Sequence, residues 1–202
     1  GFGGSCFKKD ILNLVYLANH FGLPEVGSFW ESVVELNTWN QRRLSSIIMS
    51  KFNSVKGKII GILGFAFKAN TNDTRESPAI QICKDLLSEG AILRIHDPKV
   101  EKEQISIDLG VSSKENLILN HNEDLNNLQK WKKFSLDEEL FQDTDALVIL
   151  TEWEEYSKIN WNVVAKCMKS TGWVFDSRSI VDSKKILKNG LNLWRVGDGT
   201  LN

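Results

Sequence analysis

A cysteine at position 6 stands behind three glycines and ahead of two lysines and an aspartate, in the run Gly1-Phe2-Gly3-Gly4-Ser5-Cys6-Phe7-Lys8-Lys9-Asp10. Those residue types at that spacing suit a thiol nucleophile. Glycine lets a backbone turn sharply and approach a ligand closely. The apolar run Ile11 to Phe21 has helical spacing, so Cys6 is expected on the loop just ahead of a helix. Unpaired N–H groups and the helix dipole favour a thiolate there. Lys9 adds positive charge, and Asp10 could accept a proton or orient water. The same pattern also fits a plain helix-start loop with an incidental buried cysteine, because glycine before a helix is common.

A second set of such residues lies further on. Gly61-Ile62-Leu63-Gly64-Phe65-Ala66-Phe67-Lys68 reads as the end of a strand and the loop beyond it. It is not the dinucleotide fingerprint, which needs G-x-G-x-x-G with a helix directly behind it. Here the glycines are three apart, and Phe65 and Phe67 stand where small residues would admit a pyrophosphate. The carboxyl end of a strand is still where open α/β sheets bind ligands. Lys68 and Arg75 could hold a phosphate or carboxylate, or they are two solvated surface cations. Phe175-Asp176-Ser177-Arg178 closes a later strand. Arg178 either reaches the same crevice as Lys68 or only pairs with Asp176. Thr151-Glu152-Trp153 is a candidate crevice lining. Asp97-Pro98 reads as a strand-ending turn, and Trp131, Trp161 and Trp194 as core or surface residues.

The elements that must position these residues differ in period along the chain. Residues 8–54 read as helix only: one from about Lys9 to Phe21, stopped by Gly22 with Pro24 beyond, and one from about Glu25 to Phe52. The second exceeds the usual globular length, which fits a dimer element or a helix packed on its own domain. From Lys58 short apolar runs alternate with helical ones. Expected strands are Lys58–Leu63, Ala91–His96, Ala146–Leu150, Trp173–Phe175 and Leu193–Val196. Expected helices are Ser77–Glu89, Ser135–Phe141, Trp161–Met168 and Asp182–Lys188. That alternation predicts a parallel sheet with right-handed crossovers. Residues 99–134 read as a polar excursion with one short strand near Leu117–Leu119. The domain boundary is expected at 54–57, giving a helical segment (1–56) and a Rossmann-like α/β domain (57–202).

Composition narrows the classes. With 202 residues, 42% hydrophobic content and a net charge of -1, the chain can bury a core and has no global pull toward nucleic acid or membranes. No apolar run reaches the roughly 20 residues that span a bilayer. Three widely spaced cysteines and three histidines make neither a disulfide framework nor a zinc spacing, and suit a reducing, cytoplasmic compartment. The chain opens at Gly1 inside the cysteine loop, without an initiator methionine, which suggests a piece of a longer protein.

Three stretches in series resemble the UDP-glucose 6-dehydrogenase family: Gly1–Asp10, Gly64–Lys68 with Asp73–Ser77, and Phe175–Arg178. The similarity runs through essentially the whole chain. Lys8 stands where relatives carry Pro or Gln, and Ser177 where many carry Gly. The resemblance implies oxidation of the C6 alcohol of UDP-glucose to a carboxylate by two NAD+ in turn. Cys6 is similar to the nucleophile that forms a thiohemiacetal and then a thioester, which water hydrolyses, and Asp10 to the acid that orients or activates that water. Gly1, Phe2, Gly3, Phe67, Lys68 and Arg178 match substrate contacts, and Lys9 and Arg75 match cofactor contacts. The family's NAD-binding domain with its G-x-G-x-x-G, and a lysine and an asparagine ahead of the cysteine loop, are absent from these residues, so the piece alone is expected not to turn over. A homodimer through the long helix is expected from the length of that helix. Sister families act on GDP-mannose and UDP-N-acetylmannosamine; the Ser-Cys-Phe-x-Lys-Asp wording favours UDP-glucose. A stand-alone nucleotide-sugar binding module and a dimerisation fragment are the other readings.

Overall fold

A computed structural model describes residues 1–110 and 130–198. The chain begins with a helical hairpin. Helix α1 (Phe7–His20) ends at Phe21, and Gly22 takes the left-handed conformation (φ +74) that turns the chain. Helix α2 (Pro24–Ser50) starts with proline in its first turn, where a missing N–H costs nothing. The two helices approach closely at Gly27, where a Cβ would lie 2.6 Å from Asn19 Oδ1.

Beyond the hairpin the described residues form strands β1 (Ile59–Leu63), β2 (Ile92–His96), β3 (Trp131–Lys133), β4 (Ala146–Ile149), β5 (Trp173–Asp176) and β6 (Asn192–Arg195). The helices between them are α3 (Pro78–Ser88), α4 (Lys102–Leu109), α5 (Glu138–Phe141), α6 (Glu154–Ser157), α7 (Trp161–Cys167) and α8 (Ser183–Lys188). All neighbouring strands pair in parallel, in the order β3-β2-β1-β4-β5-β6. The order reverses between β1 and β4, so the crevice of this doubly wound sheet opens at their carboxyl ends.

Successive side chains of a strand face opposite ways, and both faces here are covered. Ile60, Ile62, Ala146 and Val148 join Leu44 and Ile48 of α2, Ile82 and Leu86 of α3, and Ile105 of α4 in one core. Leu63, Leu147 and Ile149 join Leu140, Tyr156, Trp161, Val164 and Ile186 in the other. The carboxyl half of α2 is thus part of the α/β sandwich, while its amino half packs with α1.

The five expected strands lie within one residue of those observed. Residues 99–134 need correction, because they contain α4 and β3. Helix α4 buries Ile105 and Leu109 but leaves Ile107 66% exposed, so its apolar stripe is too thin to read from sequence. Strand β3 is only Trp131-Lys132-Lys133, a short, charged edge of the kind that discourages further pairing. The one-turn α6 was not expected, and α5 starts three residues later than Ser135. The strand expected near Leu117–Leu119 lies outside the described residues.

At the amino ends of β1 and β4, the 5%-exposed Asp145 carboxylate accepts from Ile59 N–H (2.9 Å), Lys58 Nζ (3.1 Å) and Lys169 Nζ (2.7 Å). Burial raises its pKa, but these donors together outweigh burial and hold it below the ordinary aspartate value. A carboxyl lowered in the folded state contributes stability above its unfolded pKa and loses it as pH falls through the folded one. Stability against urea should therefore fall below about pH 4, and Asp145→Asn should cost about 2 kcal/mol at pH 7 while flattening that acid limb. An unchanged acid limb in the variant would contradict this role.

Candidate functional site

Loop 64–77 between β1 and α3 is shaped first by Asp97, at the end of β2. Its buried carboxylate accepts from Phe65 N–H (2.8 Å), Ala66 N–H (3.0 Å) and Trp153 Nε1 (3.2 Å) through one oxygen, and from Lys99 and Val100 N–H (2.9 and 3.0 Å) through the other. Gly64, at φ +96, lies so close to Thr151 that a Cβ would fall 2.4 Å from that side chain. Thr151 Oγ1 donates to the Ala66 carbonyl, and Ser77 Oγ to that of Phe65 (both 2.7 Å). The N–H groups that a pyrophosphate loop would offer to a ligand are therefore occupied. Phe65 is fully buried, so this loop does not fit a dinucleotide phosphate. Asp97 does more than end a strand: it holds the loop shut.

The cysteine loop docks on this one. Gly4 N–H donates to the Arg75 carbonyl (2.9 Å). A Cβ on Gly3 would lie 2.4 Å from the Glu76 carbonyl oxygen, and one on Gly4 (φ +84) 2.9 Å from the Phe67 ring. Lys8 Nζ pairs with Glu76 at 3.0 Å. Glu76 itself is left-handed (φ 54), an uncommon state for a residue with a Cβ. On its other side the loop meets α2. Phe2 N–H donates to Asn37 Oδ1 (2.8 Å), and the Phe2 carbonyl accepts from Asn37 Nδ2 and Gln41 Nε2 (both 3.0 Å).

Cys6 is the N-cap of α1 and is exposed, whereas Cys83 and Cys167 are buried. The alternative of an incidental buried cysteine is thereby set aside. Asp10 N–H donates to the Cys6 carbonyl (2.9 Å), so the two side chains stand one helical turn apart on one face. Lys9 and Asp10 are exposed. Arg75 is held by Asp73 through Nε (2.9 Å to Oδ1) and a terminal nitrogen (2.7 Å to Oδ2). Those hydrogen bonds, then the Asp73 charge and finally the proximity of Cys6, raise the guanidinium pKa, and the Arg75 hydrogen bond lowers that of Asp73. Lys68 is exposed, with Nζ 5.3 Å above the half-buried Phe67 ring.

Arg178 takes its place from the end of β5. Its N–H donates to Asp176 Oδ1 (2.9 Å), but its guanidinium turns away from that acid: Nε donates to the Leu150 carbonyl (2.7 Å) and lies 3.4 Å from Glu152 Oε2. Arg178 and Gly1 line one cleft of about 90 Å³ with Asn40, Gln41, Arg43 and Trp194. Of the Thr151-Glu152-Trp153 run only Glu152 is exposed; Thr151 and Trp153 are buried supports. Trp131 and Trp161 are core residues, and Trp194 is half-buried at the cleft. Among the described residues no group of His, Cys, Asp and Glu could hold a metal ion, and no helix is long and apolar enough to cross a membrane.

The structure thus sets Gly3 and Gly4 against the loop that carries Phe67, Lys68 and Arg75, holds Gly1 and Phe2 on α2, and puts Arg178 at the same end of the sheet. Sequence reasoning missed Asn37 and Gln41, and gave no role to Asp73 or Glu76 within the Asp73–Ser77 stretch that carries the resemblance. Asn37 and Gln41 did carry a signal, as amides four apart on a helix of otherwise apolar period.

A parallel sheet of this order, with an exposed cysteine docked at its ligand-bearing edge, defines a doubly wound α/β protein of the dehydrogenase fold. Residues 61–183 match the family model described as the UDP binding domain of the UDP-glucose/GDP-mannose dehydrogenase family, and the chain belongs to that family. It is 43% identical over 202 residues to UDP-glucose 6-dehydrogenase of Drosophila melanogaster, covering 98% of this chain and 40% of that protein. It is 40% identical over 203 residues to UDP-glucose 6-dehydrogenase 3 of Arabidopsis thaliana, covering 98% and 42%. The chain thus spans about two fifths of the length of these curated relatives. Among solved structures, a UDP-glucose dehydrogenase from the archaeon Pyrobaculum islandicum superposes with a TM-score of 0.70 at 25% identity, covering 96% of this chain and 37% of that one.

The docking of the two loops predicts an asymmetry between glycines. Gly3→Ala drives a Cβ into backbone that cannot yield, so the NMR contact between Gly4 and the Phe67 ring should disappear. Gly22→Ala, a left-handed position with open space around it, should keep that contact and cost about 1 kcal/mol of stability. Equal effects would contradict the docking.

Proposed function

We propose that residues 1–202 carry the reactive cysteine and the nucleotide-sugar site of a UDP-glucose 6-dehydrogenase, with a helical segment at 1–56 and a UDP-sugar domain at 57–202. The observation that carries this reading is the docking of the Gly1–Cys6 loop on the β1–α3 loop, with an exposed thiol at a helix start and the Arg178 cleft at the same sheet edge. Arg178 and Lys68 are the cations for the diphosphate, and their work falls to side chains because the backbone N–H groups of the β1 loop are taken. Phe67 and the backbone of Gly1, Phe2 and Gly3 wall the sugar.

The hydride acceptor that such a reaction needs, NAD+, finds no pyrophosphate cradle in this β1 loop. The residues here account for the chemistry at the sugar's C6 and for holding the nucleotide. The Cys6 thiolate adds to the C6 aldehyde carbon, and the carbonyl oxygen takes up a proton. A hydride leaves C6 twice for NAD+ held by another domain, first from the alcohol to give the aldehyde and then from the thiohemiacetal to give the thioester, the hydroxyl proton being lost each time. At the thioester, water oriented by Asp10 attacks the same carbon and the C–S bond breaks, returning the thiolate, releasing a carboxylate and giving two protons to solvent. A covalent intermediate of this kind divides a hard oxidation into easier steps. Lys9 and Arg75, on the cysteine's side, are the residues offered to a cofactor held by another domain.

UDP-glucose is favoured over GDP-mannose by the Ser5-Cys6-Phe7 run and by the fly and plant relatives. Self-association through the hairpin is supported by Phe29, Leu36 and Trp39 of α2 and Tyr16 and Phe21 of α1, each at least 60% exposed. Three unpaired cysteines suit the cytoplasm.

Two measurements test the reading. The 202 residues alone should form no NADH from UDP-glucose and NAD+; NADH formation would contradict it. In a full-length family enzyme carrying this segment, Cys6→Ala should lower oxidation to the glucuronate by at least about 10³-fold, and retained oxidation would remove the cysteine as nucleophile.

A further inference from the structure

We propose that Asn37 and Gln41, one turn apart on α2, are positioning residues that set where the Cys6 sulfur stands; this rests on the reading of Cys6 as the nucleophile. The Asn37 amide takes both the N–H and the carbonyl of Phe2, as a neighbouring strand would. Among side chains, a primary amide offers a donor and an acceptor side by side. Gln41 adds a second donor to the carbonyl that Asn37 already satisfies. Hydrogen-bond satisfaction alone does not require that second donor, and two donors from one helix face fix the direction of the carbonyl as well as its contact. The chain passes against both side chains: a Cβ on Gly1 would lie 2.7 Å from Gln41 Cγ and 2.9 Å from Asn37 Oδ1.

Fixing Phe2 matters because the next two residues are glycines. Gly3 and Gly4 have the greatest backbone freedom of any residues. The bond from Gly4 N–H to the Arg75 carbonyl anchors their backbone. With Phe2 released, that hinge pair would rest on this bond, and the thiol would lose its fixed place near Arg75. Reactions that need near-contact geometry lose as much as about 100-fold for a displacement of 1 Å. Asn37 and Gln41 touch no reacting atom; they act through Phe2.

The test uses the 202-residue chain and the full-length enzyme that carries it. In the chain, hydrogen exchange at the Gly4 amide, read by NMR, should rise about tenfold in Asn37→Ala and in Asn37→Asp, which keeps the acceptor but opposes the Phe2 carbonyl with a carboxylate. In Gln41→Ala, which removes one of two donors, the rise should be about threefold. In the full-length enzyme kcat should fall by about 10- to 100-fold with KM within about twofold, and Asn37→Gln should fail to restore it because its amide sits one methylene too far out. Unchanged Gly4 exchange in folded Asn37→Ala, or unchanged kcat, overturns the proposal. If Asn37→Ala does not fold, Gln41→Ala decides alone, and exchange equal to the parent chain refutes it. A rise in Gly4 exchange together with full activity of Cys6→Ala would refute the nucleophile while leaving the anchor in place.

Discussion

Three short hydrogen bonds to α2 on one side, and one bond plus two close glycine contacts to the β1–α3 loop on the other, hold six residues of irregular chain in a single place. Each net bond is worth about 1 kcal/mol. Together they offset the freedom lost by two adjacent glycines only because the surfaces on both sides are already rigid. Helix α2 is rigid where its carboxyl half enters the sheet's core through Leu44 and Ile48. The β1–α3 loop is held at its start because Asp97, Thr151 and Ser77 take the backbone N–H and carbonyl groups of Phe65 and Ala66. The cysteine is thus placed by contacts distant in sequence, and its own helix supplies only the first turn.

Asp97 also explains how one sheet order can serve different ligands. In a doubly wound sheet the loop after β1 is the natural phosphate cradle. Here the acid that would face a ribose instead closes that loop, and bulky Phe65 fills the space beneath. On the proposed reading, anion binding falls to the side chains of Lys68 and Arg178, which lie beyond the carboxyl ends of β1 and β5.

Much of this was legible from pattern. Apolar runs of four or five residues between helical periods located five strands, and the spacing of Gly61 and Gly64 with Phe65 and Phe67 argued against dinucleotide binding at this loop. Elements with little apolar signal escaped: α4, with two buried anchors, β3, a Trp followed by two lysines, and the single turn α6. The site was legible by residue type and hidden by contact. Cys6, Lys68, Arg75 and Arg178 attract notice as reactive or charged residues. Nothing local says that Arg75 is held by Asp73, that the Arg178 guanidinium takes the Leu150 carbonyl while only its backbone N–H meets Asp176, or that Asn37 pairs with a peptide 35 residues away. Those are properties of the assembled surface, and periodicity does not encode them.

On the proposed reading the Cys6 sulfur faces the carbon to be oxidised while the same sheet edge grips the nucleotide. A crystal structure of the full-length enzyme that carries this segment, bound to UDP-glucose, measures both at once. The diphosphate should lie between Lys68 and Arg178, with the Cys6 sulfur about 3.5 Å from C6 of the hexose. A hexose lying away from the Gly1–Cys6 loop, with the nucleotide bound elsewhere on the sheet, would contradict it.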